Sequence, residues 1–106
     1  MYEFKKDVYR QNRGNWSRVL DLSCHACSAH ISYYQKDGPG ILKRSYLDRF
    51  IDLKPSNLEL FKCRKCQEVL GVLQGYKKEN NRPSICWLIG LIDYKIIPIA
   101  KISRMQ

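Results

Sequence analysis

The chain has 106 residues, 19 basic against 10 acidic side chains for a formal charge of +9, and five cysteines. That length suits a single domain burying roughly two-thirds of the surface of its unfolded chain, and no apolar run approaches the ~20 residues of a membrane-spanning helix. Met1 to Asp7 mixes acids and bases where a secretory signal needs an apolar stretch, so the expected location is cytoplasmic. An odd cysteine count in a reducing compartment argues against a disulfide framework.

Residues 1–17 are polar, with Gly14 and Asn15 breaking any helical pattern, and read as a loosely ordered lead-in anchored by Trp16. The single domain is expected to span 18–106. Val19-Leu20-Asp21-Leu22-Ser23 alternates and runs straight into Cys24 as a strand does into a metal turn, and Ile31 to Tyr34 resumes strand composition to complete a hairpin. Asp37-Gly38-Pro39-Gly40 is a turn. Ile41 to Leu53 fits helix or strand. The reading favoured is a strand leading into one short turn of helix near Leu47 to Phe50, closed by Lys54-Pro55-Ser56-Asn57. Leu58 to Lys62 and Glu68 to Leu73 flank a second metal turn, and Lys77 to Pro83 is a charged loop. Ile85 to Ile92, the longest apolar run, reads as a buried strand with Gly90 at a bulge; Ile96 to Ile102 reads as a last strand that Pro98 places at an edge.

The cysteines organise this pattern. Cys24/Cys27 and Cys63/Cys66 are two Cys-x-x-Cys pairs, and four thiolates complete one tetrahedral ion. The expected fold is therefore mainly β, zinc-ribbon-like antiparallel hairpins around one structural zinc per chain. The 35 residues between Cys27 and Cys63 exceed a compact ribbon's spacing and must be structured. Core cysteines rarely come at i and i+3 beside polar neighbours, which leaves as chemical rivals a bound iron or two dithiol redox pairs. His25 and His30 stand near the first pair as substitutes for a cysteine ligand, and Cys86 reads as an inert core thiol.

A catalytic zinc keeps an open position, and four cysteines leave none. With no Gly-rich phosphate loop, nucleophile motif or informative acid pair, a non-enzymatic protein without a small-molecule substrate is expected. Lys36, Lys43, Arg44 and Arg49 interleave with Tyr34 and Tyr46, and Arg64 and Lys65 sit inside the second metal turn. Cations pair with phosphates and exposed aromatics stack on unpaired bases, so this set points to RNA or single-stranded DNA. The alternative is a protein-interaction adaptor or homodimer that uses the Ile-rich residues 85–102.

Three stretches, Tyr34-Gln-Lys-Asp-Gly-Pro-Gly40 leading to Leu47-Asp-Arg49, Cys63-x-x-Cys66 followed by Leu70-Gly71, and Tyr76 to Pro83, together resemble an uncharacterised family of small bacterial zinc-ribbon-like proteins. The resemblance implies metal ligation by the four cysteines and a mainly β fold. It implies nothing about activity. The first turn, Cys-His-Ala-Cys, lacks the glycine such turns commonly carry after the second cysteine.

Overall fold

The computed structural model describes residues 2–54 and 59–105, the last three by backbone alone. The turn expected at Pro55 to Asn57 and the strand start at Leu58 lie outside the described residues. In chain order the elements are α1 (Val8–Gln11), β1 (Ser17–Cys24), β2 (His30–Asp37), β3 (Arg44–Tyr46), β4 (Leu60–Lys62), β5 (Val69–Tyr76), β6 (Arg82–Trp87), β7 (Ile92–Ile97) and α2 (Ile99–Met105). Short 3-10 turns at Leu47–Arg49 and Lys77–Glu79 follow β3 and β5. The strands form two antiparallel sheets, ordered β2-β1-β7 and β3-β6-β5-β4. The mainly β architecture expected from the sequence is the one that forms, and 41–53 adopts the strand-then-turn order.

Alternation in β1 assigns its two faces. Leu20, Leu22 and Cys24 point toward the second sheet and pack with Tyr34, Phe50, Leu70, Ile85 and Trp87. Val19 points the other way and packs with Ile97 and with Ile102 of α2, under Tyr2 and Phe4. A strand apolar at both kinds of position is covered on both faces, so β1 is the middle of a three-layer stack. The indole of Trp87 donates to Ser45 Oγ at 2.8 Å, which satisfies its buried N–H.

The C-terminal third departs from the expectation. Gly90, at φ +76°, closes a turn after Trp87 rather than a bulge, so the run Ile85 to Ile92 is not one buried strand, and Ile89 at its tip is fully exposed. Pro98 lacks the N–H to continue a ladder and its fixed φ suits a helix start, so 99–105 is helical where a strand was expected. Cys86, expected in the core, is only half-buried.

The polar lead-in carries α1 and contacts β2 through side chains. The Gln35 amide, fully buried, accepts from the Lys5 N–H at 2.8 Å and donates to the Lys5 carbonyl at 3.0 Å, so it pairs with that backbone as a strand would. Tyr2 Oη donates to the same Gln35 oxygen. Asp7 caps α1 and also reaches Arg49 at 2.6 Å.

Arg49 and Arg82 are both buried. Arg49 Nε donates to Asp37 at 3.0 Å, and Asp37 is further held by Ser17 and Gln35. Arg82 lies between the rings of Tyr9 and Tyr46, 4.0 and 3.8 Å from their centroids, and pairs with Asp48 and Glu79. Buried guanidinium groups of this kind are held by paired carboxylates and aromatic faces.

Candidate metal centre and the basic surface

The two Cys-x-x-Cys turns have the same backbone. Each follows a register shift in its hairpin, between Leu22 and Ser23 in β1 and between Phe61 and Lys62 in β4. In the first, the Cys24 N–H bonds the Ala29 carbonyl at 2.9 Å and the Ser28 N–H bonds the Cys24 carbonyl at 2.8 Å. In the second, Cys63 to Glu68 and Gln67 to Cys63 repeat those bonds at 2.9 Å each. The residue after each second cysteine is left-handed, Ser28 at φ +62° and Gln67 at φ +66°. Glycine takes that region freely, yet here a serine and a glutamine hold it, so the first turn is no less formed than the second.

The turns belong to different sheets and face each other. Cys24 Sγ lies 3.7 Å from Cys66 Sγ, and Cys27 Sγ lies 3.5 Å from Cys63 Sγ. All four sulfurs fall within 4.8 Å of one another. Four sulfurs about 2.3 Å from a central ion stand about 3.8 Å apart at the corners of a tetrahedron, so the donor set fits one tetrahedral ion. Both of these contacts run between the turns, so an ion bound by the four sulfurs would fasten one sheet to the other.

The sulfurs also carry an electrostatic conflict that a cation resolves. The N–H groups of Cys66 and Lys65 aim at Cys63 and, against its desolvation, draw its thiol down to about 6. Cys66 is pushed up to about 12: the Glu68 N–H favours its thiolate, but burial and the neighbouring thiols outweigh it. Cys27, which accepts from Ala29, is raised for the same reasons. A divalent ion held by the four sulfurs would remove this conflict.

Neither histidine replaces a cysteine in this cluster. His25 Nδ1 is 3.0 Å from Asp93, and its N–H bonds the Leu91 carbonyl, which docks the first turn on the β6–β7 connection. His30 has both ring nitrogens engaged, Nδ1 with Asp21 and Nε2 with Asp52, each at 2.8 Å.

The basic and aromatic set divides. Tyr34 is buried and its hydroxyl accepts from the Tyr46 N–H at 2.8 Å; Tyr46 is buried beneath Arg13 and Arg82. Arg49 is 1 % exposed and paired internally, and Lys36 is buried. These four do not form an open stacking surface: all are buried, Arg49 by its ion pairs and Tyr46 by the guanidinium groups over it, while Lys36 lies at the base of a cleft. Lys43, Arg64 and Lys65 are exposed, and Arg44 is half-exposed with its guanidinium 4.1 Å over Tyr76. Arg13 and Tyr76 join Lys36, Lys43, Arg44 and Tyr46 around a cleft of about 170 Å³. Sequence reading left out both, since Arg13 comes from the lead-in and Tyr76 ends a strand remote in sequence from β3.

No family model, curated protein or solved structure matches the chain.

Proposed function

We propose that this chain is a zinc-fastened, non-enzymatic binding domain that contacts RNA or single-stranded DNA. One structural zinc on Cys24, Cys27, Cys63 and Cys66 locks the two sheets, a reading supported by the clustering of the four sulfurs. The observation that carries the binding reading is the division among the cations. Arg13, Arg49 and Arg82 are committed to internal carboxylates, while Lys43, Arg44, Arg64 and Lys65 pair with no carboxylate among the described residues. Unpaired cations, with Lys43 and Arg44 beside the partly open Tyr76, suit a flexible phosphate backbone.

The test is retention of zinc-loaded protein on single-stranded oligonucleotides over a salt series. Binding is expected to weaken with salt at a slope of about −0.7 per phosphate neutralised, and Lys43→Gln or Arg44→Gln is expected to reduce that slope by about one phosphate each. Salt-independent retention, or unchanged slopes in both variants, rejects the reading. Iron bound in place of zinc, visible as colour, moves the protein to electron transfer.

A second reading has its own observation. β7 is a sheet edge with Tyr94 and Ile96 about half-exposed, near the apolar tip at Leu88 and Ile89. That surface suits a protein partner or a second copy, and light scattering that finds a dimer persisting in 1 M salt supports it.

A further inference from the structure

The cleft beside β3 contains a feature that stability does not explain. Arg18 and Lys36 are directly opposed across β1 and β2, a like-charge pair that destabilises a ladder. Lys36 is 8 % exposed, and among the described residues its ammonium makes one hydrogen bond, to the Gly38 carbonyl at 3.0 Å, with no carboxylate bound to it. Two of its three N–H donors remain for another acceptor. Burial lowers its pKa, with Arg18 and Arg13 adding to the effect and Asp37 opposing it. A lysine held in that position without an anion costs stability.

The surroundings supply more positive charge. Arg13, Lys43 and Arg44 line the same cleft, and Arg13 is fixed by Glu79 at 2.7 Å and by Tyr46 Oη at 3.0 Å. The acid on the lining, Asp37, is engaged by Arg49, Ser17 and Gln35. At about 170 Å³ the space is below the ~300–1,000 Å³ of a small-molecule pocket, so it suits a single charged group rather than a whole cofactor. Its cations exceed what one phosphodiester neutralises and match a dianion with three free oxygens.

We infer that this cleft receives a terminal phosphomonoester, with Lys36 at its floor and Lys43 and Arg44 at its mouth. The inference deepens the nucleic-acid reading and rests on it for the source of the group, the phosphorylated end of a single strand. The Gly38-Pro39-Gly40 turn and Lys36 thereby share a role, because the Gly38 carbonyl orients the amine beside the opening.

The experiment compares anisotropy of labelled ten-nucleotide strands bearing a 5′-phosphate, a 3′-phosphate or two hydroxyl ends, with inorganic phosphate as a separate ligand followed by thermal shift. One phosphorylated end is expected to bind at least ~10-fold more tightly than the hydroxyl-ended strand. Lys36→Met is expected to erase that difference while keeping the thermal midpoint equal or higher, a result a structural lysine does not give. Arg44→Gln, at a half-exposed site, repeats the loss without touching the interior. Equal binding of all three strands by the zinc-loaded protein overturns the inference and leaves the nucleic-acid reading standing. Stabilisation by phosphate with no strand bound keeps the anion site and removes the nucleic-acid source. No response to any ligand overturns both.

Discussion

Replacing Arg49 by methionine removes a buried cation and strands the carboxylate it serves. Asp37 is 4 % exposed, and loss of the 3.0 Å bond from Arg49 leaves it with Ser17 and Gln35 as neutral donors. Breaking a buried pair in this way costs about 3–5 kcal/mol. The two remaining donors place the expected cost near the lower end, and the Asp7 contact adds little because that carboxylate is 37 % exposed. At about 4 °C per kcal/mol for a domain of this size, the melting midpoint should fall by roughly 12 °C. The assay is urea and thermal denaturation followed by circular dichroism at fixed, saturating zinc, since ligand concentration itself shifts the midpoint. Adding Asp37→Asn should recover at least ~1 kcal/mol, because the stranded charge is gone. A loss below ~1 kcal/mol, the value of an exposed pair, refutes the placement of Arg49 in the interior.

Gly71→Ala should destabilise by about 1–3 kcal/mol, because a methyl group there meets Ile85 Cγ2 at 2.6 Å and the Cys86 carbonyl oxygen at 2.8 Å; an unchanged midpoint contradicts the packing of β5 on β6. His30 is raised above its usual value: its partial burial lowers it, but the hydrogen bonds and charges of Asp52 and Asp21 prevail. Its contribution is therefore complete below about pH 6.5 and lost as pH rises through the higher folded value. The stability gap between wild type and His30→Gln should narrow from pH 6 to pH 9. Lys62, Arg64 and Lys65 share one cavity with the ring, and Asp93 and Lys95 another, so a gap that widens with pH shows that these cations, not the carboxylates, control it. Cys63→Ser should abolish stoichiometric metal binding and most of the cooperative unfolding transition, and a variant that keeps both removes Cys63 from the ligand set.

The four-cysteine cluster was legible because two local spacings encode it: each Cys-x-x-Cys turn is built from its own backbone, and the alternation of Leu20 and Leu22 aims Cys24 inward. That the turns sit on separate sheets was not legible, since it depends on β1 pairing with β7, some 70 residues away. The basic surface was half legible. Interleaved lysines, arginines and tyrosines read alike whether they meet solvent or each other, and only the fold shows that Asp7 and Asp37 close on Arg49, while Tyr9 and Tyr46 close on Arg82. Composition misled at the C-terminus, where isoleucine-rich residues suggested strand throughout and Gly90 and Pro98 redirected the chain. The buried amide of Gln35 had no sequence signal, because its partner is the backbone of Lys5, 30 positions earlier.

Four cysteines from two sheets are proposed to share one zinc ion. X-ray absorption at the zinc edge, on protein purified without chelator and checked for metal content, tests it most directly. One zinc per chain with four sulfur scatterers at about 2.3 Å is the expected result. A shell containing nitrogen or oxygen, or protein that binds no zinc and holds its cysteines as disulfides, contradicts it.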